Sequence, residues 1–275
     1  MRIALLQYDS KYLETERNLD AVEDLLGNME ADLIVLPELF TSGYFFQSTA
    51  DARSAAEPIP GGPTVQRLIL WANASGGTFV AGLVEEAANG TLYNSAVVVT
   101  PRGWLGTYRK THLFYEEKLH FAPGDSGFPV FTVTDRVGKA YRLGVMICFD
   151  WYFPEAARSL ALAGADVIAH PSNLVRPDCP RSMPIRALEN HVFTATANRI
   201  GRETKGEEVL TFIGQSLICD PSGQVLASAS HTETELLSVE IDPATARDRQ
   251  ITAHNHLFED RRPEFYGLGR VLNGS

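Results

Sequence analysis

Ala31-Asp32-Leu33-Ile34-Val35-Leu36-Pro37-Glu38 and Ala165-Asp166-Val167-Ile168-Ala169-His170-Pro171-Ser172 repeat one pattern in the two halves of the chain: Ala-Asp, a short and mostly apolar run, then proline. A short apolar run bounded by turn formers reads as a buried strand. Ahead of the first copy, Leu19, Val22, Leu25, Leu26 and Met29 recur at three- and four-residue spacing while Asp20, Glu23 and Asp24 take the other side, which is the period of an amphipathic helix. Ahead of the second copy, Pro154 to Ala163 reads as a helix opened by proline in its first turn. The runs Ile3 to Gln7 and Leu143 to Ile147 precede these helices. Each half therefore opens strand, helix, strand.

Further out the parallel continues. Pro63 to Ala74 predicts a helix with Val65, Leu68, Ile69 and Ala72 on one side, stopped by Gly76-Gly77 before a strand from Thr78 to Leu83. Asn94 to Thr100 predicts a strand that turns at Pro101-Arg102-Gly103 into a hairpin partner, Trp104 to Arg109. Gln215-Ser216 and Pro221-Ser222-Gly223 echo Asn94-Ser95 and Pro101-Arg102-Gly103. The expectation is an α/β protein of two pseudo-repeated halves, each a sheet covered by helices on one face, packed as a four-layer α-β-β-α sandwich. Residues 1–275 would form one domain. The segment 243–275 has no clear period and is expected to lie over the domain or a partner subunit.

The 275 residues are 44% hydrophobic and 21% charged, ordinary for a globular chain of this size, with a formal charge of −10. That charge disfavours nucleic acid and anionic membranes as partners, and points to a small-molecule substrate. No apolar run approaches the roughly 18 residues that span a bilayer. The N-terminus, Met1-Arg2-Ile3-Ala4-Leu5-Leu6-Gln7, lacks a secretory pattern, so the expected location is cytoplasmic. Three cysteines, at 148, 179 and 219, form no CxxC pair, and all read as reduced thiols.

Three side chains stand where buried runs end. Cys148 follows Leu143 to Ile147 and precedes Phe149-Asp150-Trp151-Tyr152-Phe153-Pro154. A strand giving way to a turn and a helix start exposes a thiol, and the nearby backbone N–H groups and helix dipole are expected to favour thiolate and oxyanion. Taken alone the residue reads as packing, as Cys219 does in Ser216-Leu217-Ile218-Cys219-Asp220. Glu38 closes the first repeat, at the strand edge where ligands gather in parallel sheets, and a glutamate there can serve as general base. Lys110, in Tyr108-Arg109-Lys110-Thr111-His112-Leu113, could steady an oxyanion, though a solvated charge is the commoner role of a lysine.

These blocks, with Leu36-Pro37-Glu38-Leu39-Phe40-Thr41-Ser42-Gly43-Tyr44 and Gly144-Val145-Met146-Ile147-Cys148-Phe149-Asp150 ahead of Phe153-Pro154-Glu155, resemble the nitrilase superfamily of carbon–nitrogen hydrolases over nearly the whole chain. The resemblance implies Glu38 as general base, Lys110 as oxyanion stabiliser and Cys148 as nucleophile, with the Phe149 N–H completing the oxyanion hole. It implies that Glu117, ahead of Phe121-Ala122-Pro123-Gly124, orients Lys110 or assists proton transfer, that Asn173 sits near the pocket and that Tyr44 lines it. Cofactors and metal are not part of that chemistry. Members commonly dimerise, so a homodimer or higher oligomer is implied.

Nitrile-hydrolysing members typically carry Cys-Trp-Glu, whereas Cys148-Phe149-Asp150 resembles the amidase and carbamoylase branch. The implied activity is hydrolysis of a small linear amide through a thioester, with an N-carbamoyl compound or a nitrile as alternatives and a catalytically silent binding protein as the competitor from another class. His254, His256 and Asp260 lie close in sequence but match no trusted metal spacing, and His112, His170 and His191 read as structural. Arg176, Arg181 and Arg186 could hold a substrate carboxylate or be surface charges.

Overall fold

Both faces of the first strand are buried, and that decides the layering. In the computed structural model, which describes residues 1–267, Ile3 and Leu5 of β1 (Arg2–Gln7) join one apolar cluster while Ala4 and Leu6 join another. Side chains alternate across a strand, so a strand apolar at every position must be covered on both sides.

The first sheet contains β1, β2 (Leu33–Val35), β3 (Thr78–Glu86), β4 (Leu92–Thr100) and β5 (Gly103–Arg109). The second contains β6 (Val130–Thr134), β7 (Ala140–Val145), β8 (Val167–Pro171), β9 (Phe193–Ala197), β12 (Leu217–Cys219) and β13 (Val225–Ser228). A short hairpin, β10 (Arg202–Lys205) and β11 (Glu208–Thr211), stands apart from both. β14 (Glu235–Glu240) returns to pair antiparallel with β1. The orders are β14-β1-β2-β3-β4-β5 and β13-β12-β9-β8-β7-β6. In each sheet three parallel strands carry one antiparallel neighbour on one side and two on the other. The repeat seen in the sequence is thus a repeat of topology.

Helices α1 (Thr15–Leu26) and α3 (Pro63–Ser75) cover the outer face of the first sheet through Leu19, Val22, Val65 and Leu68. The second sheet is covered by α5 (Pro154–Leu162) and α6 (Asp178–Asn190). The facing sides of the two sheets meet where Ile3, Leu33, Val35 and Val98 share a cluster with Leu143, Val145, Val167 and Ala195. The four-layer α-β-β-α sandwich expected from the sequence is the observed fold. A third cluster, built from Leu39, Tyr44, Phe45, Phe46 and Phe121, gathers the loop after β2, α2 (Thr49–Ser54) and α4 (Glu117–His120).

Several expectations are corrected. Leu25, placed on the buried face of α1, is 37% exposed, and the helix ends at Leu26, before Met29. The strand ahead of Cys148 stops at Val145 rather than Ile147. Helix α6 was not anticipated because Pro180 and Pro184 interrupt its pattern, yet Cys179, Met183 and Ala187 bury one face of it. The tail packs on the second half: Pro243 and Ala246 are buried, Arg247 pairs with Asp166 at 2.8 Å, and the ring of Phe258 lies under the guanidinium of Arg249. Within it Gln250–Thr252 pairs with Asn255–His256. The remainder of the expected extension, 268–275, lies outside the described residues. Among the described residues no helix is long and apolar enough to cross a membrane.

Candidate active site

Glu38 is held by the strand it follows and by the strand beside it. The Phe40 N–H donates to Gly82 O at 3.0 Å and the Gly82 N–H to Pro37 O at 3.2 Å. A Cβ at position 82 would stand 2.6 Å from Glu38 Cα, so only glycine lets the loop cross so close. Gly82→Ala is expected to cost about 1–3 kcal/mol by overpacking and to move Glu38. A urea midpoint and an ammonia-release rate both unchanged would contradict this.

The carboxylate of Glu38 is fully buried. Its Oε1 accepts from Lys110 Nζ at 2.6 Å and from Asn94 Nδ2 at 2.7 Å. Its Oε2 has no hydrogen-bond partner among the described residues. Lys110, which follows β5 and is 1% exposed, also donates to Glu117 Oε1 at 2.6 Å, and Tyr44 Oη donates to the same oxygen at 2.7 Å. Two carboxylates and one ammonium therefore share a dry site. Burial alone would lower the pKa of Lys110, but Glu117 and Glu38 outweigh it and hold the ammonium above its usual range. Burial also pushes Glu117 up to about 7, with Lys110 opposing and Glu38 adding to the rise.

Cys148 opens a short 3-10 turn, Cys148–Tyr152, and its φ is +39°. This left-handed conformation costs a side-chain-bearing residue about 1–3 kcal/mol and persists only where its surroundings impose it. Those surroundings are visible. Cys148 O accepts from His170 Nε2 at 2.9 Å, and Thr196 Oγ1 lies 3.0 Å from the other ring nitrogen. Asp150, fully buried beneath the turn, accepts from the Ile147 N–H at 2.8 Å, from Tyr108 Oη at 2.7 Å and from the His112 N–H at 3.1 Å. Burial lowers His170 to about 4, so it stays a neutral ring near neutral pH.

The thiol itself was expected to be helped towards thiolate by N–H groups and the helix dipole. The structure reverses the balance: burial and the Glu38 carboxylate push it well up, Lys110 opposes, and the Asn173 N–H against the sulfur lowers it only in part.

Cys148 lies in the wall of a recess of ≈ 410 Å³ whose sides include Phe114, Phe149, Trp151 and Leu174. Asn173 lines it and donates from Nδ2 to the Glu38 carbonyl at 2.9 Å, tying the pocket to the backbone of Glu38. Tyr44 does not line this recess; its hydroxyl belongs to the buried charged cluster. Arg176 stands at the recess, paired to Asp178 at 2.9 Å, whereas Arg181 is exposed and Arg186 is spent on Trp151 O and Glu189.

The particular supporting roles of four residues escaped the reading of the sequence, although His170 was read as structural. Asn94, quoted only for its repeat, bridges Glu38 and Glu117. His170 and Asp150 fix the Cys148 turn, a role that one-dimensional spacing does not reveal. Glu203 accepts from the N–H groups of Tyr44 and Phe45 at 3.0 and 2.6 Å and is itself ion-paired with buried Arg199. His112 is stacked 3.7 Å from Phe153 and bound to Asp150 at 2.8 Å, and the ring of His191 contacts Thr245 O. In the tail, the His256 ring nitrogen accepts from the N–H groups of Phe258 and Glu259 and Asp260 accepts from the Asn255 side chain. Among the described residues no group of three His, Cys, Asp or Glu side chains is placed to hold a metal ion.

A family model described as carbon-nitrogen hydrolase matches residues 2–250. A protein named nitrilase from Pyrococcus abyssi is 49% identical over 97% of this chain and 99% of its own length. An N-carbamoylputrescine amidase from Oryza sativa subsp. japonica is 33% identical over 99% of this chain and 95% of its own. Among solved structures, a mutant of the amidase from Nesterenkonia sp. AN1 in complex with butyramide superposes with a TM-score of 0.78 at 30% identity, covering 96% of this chain and 95% of that one.

Proposed function

Since the chain belongs to the carbon-nitrogen hydrolase family, of which the nitrilases and amidases it resembles are members, we propose that it hydrolyses a small linear amide at Cys148 and releases ammonia. Glu38 Oε2 carries the reading. It is a buried carboxylate oxygen left without a partner among the described residues, in a cluster that also lifts the pKa of the neighbouring thiol.

In the first half-reaction the thiol proton passes to Glu38 and the sulfur attacks the carbonyl carbon. An ammonium has three N–H bonds, and Lys110 gives two of its directions to Glu38 and Glu117. The third serves the oxyanion, together with the Phe149 N–H. The C–N bond then breaks and the leaving nitrogen takes the proton from Glu38 as ammonia. In the second half-reaction water gives a proton to Glu38, its oxygen adds to the thioester carbon, and the acid departs as the thiol is restored.

The position of Asp150 bears on the choice between amide and nitrile. It holds up the turn and does not line the recess, so of the Phe149-Asp150 pair only Phe149 can contact substrate, and Asp150 reports on the scaffold. A nitrile is therefore the second reading, favoured by the name of the Pyrococcus abyssi relative; butyramide in the Nesterenkonia amidase favours the amide. Matched aliphatic amides, carbamoyl compounds and nitriles, assayed for ammonia with Cys148→Ala as blank, test this. Faster release from the nitriles would replace the amide reading.

The buried carboxylates also set a pH dependence. As pH falls through about 7, Glu117 takes up the proton for which burial and Glu38 have prepared it, and one of the two ion pairs that orient Lys110 is lost. The expected profile of kcat/KM falls on the acid side with an apparent pKa near 7. Glu117→Gln, which removes one of the two like charges, is expected to move that limb down. A limb that stays in place would assign it to another group.

A further inference from the structure

The recess beside Cys148 has an apolar wall and very little charge. Phe149 faces Phe114 at 5.1 Å between ring centroids and Tyr152 at 5.6 Å. Leu174 and Val175 also line the recess. Among the described residues that line it, Arg176 is the sole charged side chain, 69% exposed and turned onto Asp178. The charges beside the thiol belong to Glu38, Lys110 and Glu117, all buried, with both carboxylates bonded to the ammonium. Among the described residues that line the recess there is no carboxylate.

Consider what such a wall does to the far end of a substrate. An ammonium on a flexible tail gives up hydration on entry and finds no anion among the described lining residues, while the one charge at the rim, Arg176, has the same sign and is already paired with Asp178. Aromatic faces can hold a cation, but that attraction is weak beside the hydration an ammonium surrenders in an apolar recess. A carboxylate would have to compete in water with Asp178 for Arg176, a weak gain. An apolar substituent gains about fourfold in affinity for each CH2 buried.

Resting on the amide-hydrolase reading above, we propose that the substrate's acyl or carbamoyl substituent is uncharged and apolar, so that this chain discriminates against the cationic class represented by N-carbamoylputrescine, the substrate in the name of several relatives. Phe114, Phe149 and Val175 are the residues that set the preference, and Arg176 enforces it at the rim.

The test compares isosteres: hexanamide against its ω-ammonium counterpart, and pentylurea against N-carbamoylputrescine, by ammonia release near neutral pH. The neutral member of each pair is expected to lead in kcat/KM by about 100-fold, the scale on which an apolar pocket rejects a polar isostere. Equal or faster turnover of the charged members would overturn the inference while leaving the amide reading intact. If no amide or urea were hydrolysed, the amide reading would fall, and the inference would still be decided by binding: Trp151 lines the recess, so its fluorescence in Cys148→Ala ranks the same four ligands. Tighter binding of the charged members would overturn it there too. Arg176→Glu, an exposed change that leaves the core untouched, is expected to narrow the gap about tenfold by replacing repulsion with attraction; an unmoved gap would remove Arg176 from the proposal.

Discussion

Cys148→Ala is expected to lower kcat for ammonia release by about 10⁵-fold or more, the scale on which removal of a nucleophile is felt in acyl-transfer enzymes. The loss should be one of chemistry, because the side chain is nearly buried and a thiol and a methyl group differ little in packing. The backbone supplies a control. At φ +39° alanine keeps the left-handed penalty and glycine does not, so Cys148→Gly is expected to be equally inactive and more stable than Cys148→Ala by about 1 kcal/mol, or roughly 2–4 °C in melting temperature for a chain of this size. Retained hydrolysis in either variant would remove Cys148 from the reaction. Equal melting temperatures would show that the turn relaxes once the sulfur is gone.

Lys110→Met should have the second largest effect, on stability and activity together. It leaves Glu38 and Glu117 buried beside each other without their cation. Breaking a buried ion pair by removing one partner costs about 3–5 kcal/mol, and the two carboxylates must then share a proton. Activity is expected to fall below detection, since the oxyanion loses a donor and Glu38 its setting. A second substitution separates the causes. Lys110→Met with Glu117→Gln removes one of the stranded charges and is expected to recover much of the stability and none of the activity. If the double variant were less stable than the sum of the two single losses, the repulsion argument would be wrong.

Which of these features could be read from the sequence depends on distance along the chain. Ala31 to Pro37 and Ala165 to Pro171 announce themselves because a buried strand imprints its burial on consecutive residues. The helix period before each copy does the same at a spacing of three and four. Glu38, Lys110 and Cys148 became legible as a set because each follows a strand end and because the blocks around them resemble a family. Helix α6 stayed hidden because two prolines mask its period, and Leu25 was misplaced because the buried stripe of α1 is narrower than its run of apolar residues.

The partnerships around the reacting groups left no such imprint. Asn94 lies 56 positions from Glu38, His170 lies 22 from Cys148, and Glu203 lies 159 from Tyr44. Their residue types are ordinary for strands and loops, and a hydrogen bond between remote residues places no period in the sequence.

By itself, then, the sequence determined the two-fold repeat, the layered α/β architecture and the three residues at strand ends, since each follows from local alternation of apolar and polar residues or from short contiguous motifs. Only the tertiary structure decided that β14 from the second half completes the first sheet, that Lys110 is shared between two buried carboxylates, that the thiol is held protonated on a left-handed turn, and that the recess beside it is apolar. These depend on which surfaces meet and how much water their meeting excludes, and burial and charge coupling are set by neighbours in space.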